Sequence, residues 1–355
     1  MEPIICGPSA FKYYRTPPQV LALCHELPTI RNRTAQTALP NSPTAQAVLG
    51  TTIHSLISTR SQHTGAVHMK QHLWEGPRPS DCEFEDPIVG TLTSPLFTLL
   101  TLSREYTATE VAMAMYELCG KFTVYAPSKE PEALLPSPDD ARKLGFGWQR
   151  VVDPRGMPSS LWMREPLVEI HELKEFADDI KGVRGARTFS AAADMVLGVT
   201  RSPLEVKAAM LLGLPRTKGG FGFLLETDRV IRLDASARSI RSIVGKDYLV
   251  ADLYLESSDG TRALDIECQG AVVHSGLGAA ISDADRACAV EAMGIDLLYL
   301  TENQLRSGHK LEIFAGLVGD KLGQKLQQRT DRMRRKENEL RFHLSKGWEG
   351  LCGVS

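Results

Sequence analysis

The sequence predicts an α/β (α+β) fold whose best-defined part is an α-β-β-β-α-β core over residues 197–306. Three observations predict it. Arg201-Ser202-Pro203 opens a helix over Pro203 to Leu212, with proline in the first turn. Three strand-like runs follow, RVIRLDA, VGKDYLVADLYLE and TRALDIECQG, with Asp259-Gly260 as a hairpin signal between the last two. An amphipathic segment from Ile281 to Met293, stopped by Gly294, then leads to the apolar strand IDLLYLT.

The chain has 355 residues, more than one compact core usually holds, so a second folded region is expected. We divide it into a mixed α+β region over 1–196, the core over 197–306 and a C-terminal basic helix over 307–355. Residues 1–90 carry turn formers and short apolar bursts such as VLGTTIHSLIS, which fit short strands and loops better than long helices. Helical spacing from Ser94 to Phe122 predicts two helices, the second with Thr107 or Thr109 as N-cap and Gly120 as its stop. Prolines at 127, 131, 136, 138, 154, 158 and 166 predict mostly connecting chain over 126–165. Helical patterns recur at 168–182 and 188–197, and 309–344 reads as one long polar helix.

With 43% hydrophobic residues, 24% charged and a net charge of -2, the composition excludes disordered, collagen-like and disulfide-scaffold classes. No stretch approaches the roughly 20 apolar residues of a membrane span, and MEPIICGPSAFKYYR lacks the order of a signal peptide, so a cytoplasmic location is expected. The seven cysteines are scattered without a CxxC pair and read as free thiols. Only the segment from Lys321 to Lys346 is strongly basic, with nine Lys and Arg against Asp331, Glu337 and Glu339.

The hairpin DYLVADLYLESSDGTRALDIECQG carries the chemistry. If Asp259 and Gly260 form its loop, Asp252 lies opposite Glu267, Tyr254 opposite Asp265 and Val250 opposite Gln269. Alternation then gathers Asp252, Asp265, Glu267 and Gln269 on one face and sends Leu253, Leu264, Ile266 and Cys268 into a core. Carboxylates directly across a hairpin, about 4.5 to 5.5 Å apart at Cβ, repel unless a cation or proton lies between them. A divalent metal resolves the conflict, and magnesium suits an all-oxygen donor set. A solvated acidic strand face is the competing reading.

These elements resemble the PD-(D/E)XK nuclease superfamily, particularly the branch of the very-short-patch repair endonucleases. The resemblance covers about 100 of the 355 residues. It is carried by SPLEVKAAMLLGLP with Glu205, GGFG, VADLYL with Asp252, DIECQG with Glu267 and Gln269, His274, Asp283-Ala-Asp-Arg286 and GIDLLYLT. It implies a restriction-endonuclease-like core with a mixed central sheet, in a bacterial metal-dependent DNA endonuclease that hydrolyses phosphodiester bonds. By the same resemblance Asp252 and Glu267 are the ligands of Mg2+ or Mn2+, Glu205 an accessory acid and His274 a proton shuttle. The sequence departs from the superfamily pattern at Gln269, where lysine is expected and glutamine brings no positive charge to a developing phosphorane. A more diffuse resemblance links SPLFTLLTLSREYTATEVAMAMYELCGKF and the later core to abortive-infection antitoxins of type IV toxin-antitoxin systems. It implies the alternative of a catalytically inactive, nuclease-fold DNA-binding regulator, although no helix-turn-helix is evident.

DNA is the expected partner, through Arg286 and through Arg332, Arg334, Arg335 and Lys336 in RMRRKENELR, a run that a solvated helix face could equally explain. No small-molecule ligand is expected, and the oligomeric state is open. Gly219-Gly220-Phe221-Gly222 lacks the lysine and hydroxyl residue of a P-loop and reads as a tight turn. His68 and His72, with His63 nearby, lack an HExxH signature in a segment that reads as strand or loop, so a metal site there is not the preferred reading. Neither GxSxG nor GxGxxG after a strand is present, which sets aside serine hydrolases and Rossmann oxidoreductases.

Overall fold

The computed structural model describes residues 4–27, 33–153, 155–233, 247–270 and 277–354. Helices and strands mix in two compact units, one formed by Met1–Arg150, Ser160–Asp194 and Gly347–Ser355, the other by Val151–Ser159 and Met195–Lys346. Among the described residues no helix is long and apolar enough to cross a membrane.

The first unit opens with β1 (Ile4–Ile5), α1 (Gly7–Arg15), α2 (Pro18–Leu21), α3 (Arg33–Ala38) and α4 (Pro43–Val48). Strands β2 (Ile53–Ile57), β3 (Met69–Leu73), β4 (Glu83–Asp86) and β5 (Gly90–Thr93) follow. They form a mixed sheet in the order β3-β2-β1-β5-β4, parallel at β2–β3 and β1–β5. The expectation of strands and loops over residues 1–90 therefore misses the helices. Pro18 and Pro43 stand at the first position of α2 and α4 and Pro8 at the second of α1, within the first turn, where proline's missing N–H would be unpaired anyway. These prolines start helices rather than break them.

The two helices expected next are α5 (Pro95–Leu102) and α6 (Ala108–Cys119), and Thr107 and Glu110 form a capping box at the start of α6. Strand β6 (Phe122–Val124), α7 (Lys129–Leu134), α8 (Pro138–Lys143), β7 (Gln149–Val152) and β8 (Pro158–Met163) follow, then α9 (Ile170–Asp179) and α10 (Ala186–Ala193). The proline-rich segment is thus more than connecting chain, because β6, β8 and β7 form a sheet of their own. Pro158 begins a strand, the one position in a strand where its missing donor is least costly.

Glu117 on α6 is fully buried and ties this unit together. Its Oε1 accepts from Arg15 Nε (2.8 Å), Thr123 Oγ1 (2.6 Å) and the Val124 N–H (2.8 Å), and its Oε2 accepts from Trp348 Nε1 (2.6 Å). Arg15, 1% exposed, also donates to the carbonyls of Trp348 and Glu349 (2.9 and 3.2 Å). A buried ion pair holds only when its remaining lone pairs and protons are bonded, and here they are.

The second unit contains α11 (Pro203–Gly213), β9 (Leu225–Arg232), β10 (Tyr248–Glu256), β11 (Ala263–Gln269), α12 (Leu277–Ala292) and β12 (Ile295–Thr301). This is the α-β-β-β-α-β order read from the sequence. The sheet runs β12-β11-β10-β9, antiparallel except at β11–β12, which is parallel. Leu249, Ala251, Leu253 and Leu255 on β10 and Leu264, Ile266 and Cys268 on β11 are buried. That apolar alternation fixes the register, since a slip of one residue would expose the whole set.

Three helices follow, α13 (Glu302–Arg306), α14 (Gly308–Lys321) and α15 (Asp331–Ser345). The single helix expected over 309–344 is broken at Gly323, whose φ of 68° ends α14 in a Schellman closure: Gln324 N–H donates to Gly319 O at 2.7 Å and Gly323 N–H to Asp320 O at 3.2 Å. The glycine run at 219–222 is the tight turn expected. A Cβ on Gly219, at φ +97°, would lie 2.5 Å from the Lys336 carbonyl oxygen, so this turn lets α15 approach. Arg329 stacks over Phe221 with 4.0 Å to the ring centroid and pairs with buried Glu337.

The Glu117 network predicts that Glu117→Ala leaves Arg15 buried without its partner and destabilises the first unit by about 3–5 kcal/mol. Chemical denaturation of wild type and variant, followed by tryptophan fluorescence, measures the difference.

Candidate active site

The acidic face is built by register. Leu253 pairs with Ile266, Tyr254 with Asp265, Leu255 with Leu264 and Glu256 with Ala263, the register calculated from the sequence. The loop differs from the two-residue turn assumed there. Ser257 N–H donates to the Arg262 carbonyl (2.9 Å), leaving the four residues Ser258 to Thr261 between them. Asp259 Oδ1 organises this loop by accepting from Ser257 Oγ (2.6 Å), Thr261 N–H (3.1 Å) and Thr261 Oγ1 (2.8 Å). Both loops centre on Asp259-Gly260, which is why the register survives the change.

Pairing extends no further than Leu253 toward the start of β10, and there the Asp252 side chain takes over: its Oδ2 accepts the Cys268 N–H at 2.8 Å. On the β9 side Ala251 pairs with Arg229 and Leu253 with Thr227, and Asp228 between those partners has a φ of 52°. The sheet is locally irregular where Asp252 stands.

Asp265 is fully buried, and the Glu267 side chain keeps 14% of its exposure. Arg286 on α12 turns toward them. Its Nη2 donates to the Val250 carbonyl (2.6 Å), to Asp265 Oδ2 (3.3 Å) and to Glu267 Oε1. Asp265 Oδ1 is buried with no hydrogen-bond partner. Burial, then the charges of Asp252 and Asp265, push the Glu267 carboxyl well above the usual range, and Arg286 opposes them. Burial also raises Asp265, with Arg286 pulling the other way and Asp252 adding to the rise. One guanidinium does not neutralise this face.

Glu205 is buried on the first turn of α11. Its Oε2 accepts from the Arg201 N–H (2.7 Å) and its Oε1 from Ser202 Oγ (2.8 Å), while Ser202 Oγ accepts the Glu205 N–H (3.3 Å). The carboxylate thus helps cap the helix. Burial first, and the charge of Asp252 second, raise its pKa, so it shares the electrostatics of the face.

Gln269 ends β11, half-buried and opposite Thr301 of β12. His274 lies outside the described residues, as does the side chain of Asp283. Arg332, Arg334, Arg335 and Lys336 are exposed on α15, where Arg334 pairs with Glu312 (3.4 Å) and Lys336 with Glu339 (2.7 Å). The structure brings Asp252, Glu267, Asp265 and Arg286 together. Sequence reasoning placed Asp265 on the acidic face without assigning it a role, and assigned Arg286 to DNA. Its partial burial and its carboxylate partners come from the packing of α12, which no local spacing records.

Compared with family models, curated proteins and solved structures, the chain matches none.

The raised carboxyls set a pH dependence. A group whose folded pKa exceeds its unfolded value contributes stability below the unfolded pKa, near 4 for a carboxyl, and that contribution is lost as pH rises through the folded value. Glu267→Gln mimics the protonated acid at every pH. Its stability relative to wild type is expected to increase steadily between pH 5 and about pH 9, read from urea midpoints in metal-free buffer.

Proposed function

We propose that this protein is a metal-dependent endodeoxyribonuclease of the PD-(D/E)XK kind, with its centre on the acidic face of the second unit. The observation that supports this reading is the proximity of Asp252, Asp265 and Glu267 on neighbouring strands of a mixed sheet in an α-β-β-β-α-β unit, close enough for the charges of Asp252 and Asp265 to raise Glu267.

The residues fit a hard divalent cation. The donors are carboxylate oxygens, two of the carboxyls are raised by burial and mutual charge, and a buried oxygen of Asp265 lacks a partner. Asp252 and Glu267 would hold Mg2+ or Mn2+, which when bound supplies an activated water and neutralises charge on a phosphate. Asp252 is positioned by the Cys268 N–H, and Glu267 is poised by Arg286. Release of Glu267 would free the guanidinium of Arg286 for a phosphate oxygen. Gln269 stands at the position where the PD-(D/E)XK pattern carries a charged lysine. The exposed cations of α15 would track the DNA backbone in a salt-dependent way.

Two observations favour a second reading, a non-catalytic DNA-binding regulator of the antitoxin kind. Gln269 carries no charge, and Arg286 already occupies Glu267 as a counter-cation.

The test is cleavage of supercoiled and mismatched duplex DNA in Mg2+ and in Mn2+. Nicking by the wild type should fall at least about 100-fold in Asp252→Ala and in Glu267→Ala. DNA retained without cleavage in either metal would select the regulator, and absence of both binding and cleavage would sink both readings.

A further inference from the structure

The first unit holds a second group of metal-ligating side chains with different chemistry. His54 on β2 and His72 on β3 lie on one sheet face, since the parallel register pairs His54 with Lys70 and Leu56 with His72. Glu105 follows α5. His54 Nδ1 and His72 Nε2 are 3.0 Å apart, and His72 Nδ1 is 2.9 Å from Glu105 Oε1. One donor atom from each of the three residues falls within 4.8 Å of the other two, the only such set among the described residues.

We propose that His54, His72 and Glu105 form a binding site for a borderline transition metal of the Zn2+ class. Two nitrogens about 2.05 Å from one tetrahedral ion stand about 3.3 Å apart, so a separation of 3.0 Å requires little movement to admit one. Two imidazoles with one carboxylate select Zn2+, Co2+ or Ni2+ over Mg2+, the reverse of the all-oxygen face in the second unit. Glu105 serves either as the third ligand or by holding the Nδ1–H of His72, the carboxylate–histidine–metal arrangement that fixes the tautomer and aims Nε2.

The environment agrees with neutral, ligating imidazoles. His54 is 6% exposed, and burial, followed by the neighbouring His72, lowers its pKa to about 4. His72 is lowered by burial too, with Glu105 opposing. Lys70 Nζ, 2.6 Å from Glu105 Oε2, is half-exposed on a flexible stem and can leave the carboxylate when a cation arrives. Buried Cys6 lines the same cavity, but burial raises its thiol far above neutrality, which keeps it from acting as a thiolate ligand. The cavity, about 280 Å³, is also lined by His72, Glu105, Arg104, Tyr106 and Arg184. It leaves room for water or an anionic group to complete the coordination.

The competing arrangement is a metal-free chain in which His54 Nδ1–H donates to His72 Nε2 and His72 Nδ1–H to Glu105. Titration of the metal-free 355-residue chain with Co2+ separates the two. The expected result is one tight equivalent with a visible ligand-field band, displaced by Zn2+, weakened about 10- to 100-fold in His72→Gln and in Glu105→Gln and unchanged in Glu267→Ala. Absence of the band in wild type, or tight binding that survives His72→Gln, overturns the proposal. Should the variants fail to fold, paramagnetic broadening of two histidine ring signals in wild-type NMR spectra decides: broadening supports the site, and none overturns it. The Glu267→Ala control keeps this result separate from the nuclease reading.

Discussion

Carboxylates that face one another across a pair of strands repel, and burial strengthens the repulsion by removing the water that would screen it. The second unit is organised around that constraint. Leu253, Leu255, Leu264 and Ile266 share one face of the pair, so Tyr254 and Asp265 take the other, while Leu249 and Ala251 pack with Ala289 and Val290 of α12 beside Asp252. What lies over the carboxylates then has to carry positive charge. Arg286 on α12 meets part of the demand, yet an oxygen of Asp265 stays without a partner and two carboxyls remain raised.

Glu117 in the first unit shows what a buried acid looks like when its role is structural. It accepts from a guanidinium, a hydroxyl, a backbone amide and an indole, so both of its oxygens are bonded. Glu205 is intermediate, bonded through its helix cap but raised by burial and by Asp252. The separation between these acids is one of hydrogen-bond satisfaction rather than depth, since Glu117 and Asp265 are both fully buried. Incomplete satisfaction is what sets the acidic face apart from the Glu117 network.

The two candidate centres differ in their donors. Oxygens dominate the acidic face, whereas imidazoles dominate the His54–His72–Glu105 group, so under the two proposals they would take different metals. Each lies within its own unit, and each depends on strand pairing for its geometry.

Local pattern determined a good part of this. Alternation over 248–269 with Asp259-Gly260 between the strands gave the pairing of Tyr254 with Asp265 without a structure, because a period of two admits only one register that buries every apolar residue. Thr107, one of the two N-caps that the spacing offered, starts α6, and Gly120 ends it. Other features had no local signal or an ambiguous one. Proline in the first 50 residues reads as a turn until the helix it starts is seen, and Gly323 reads as a tolerated helix residue until its φ turns positive. His54, His72 and Glu105 span 51 positions with no motif spacing, and Arg286 reaches Glu267 only once α12 packs on the sheet. The sequence by itself determined which residues share a strand face, since that follows from backbone geometry. Only the tertiary structure decided which charges meet across elements, because those meetings depend on how distant segments pack.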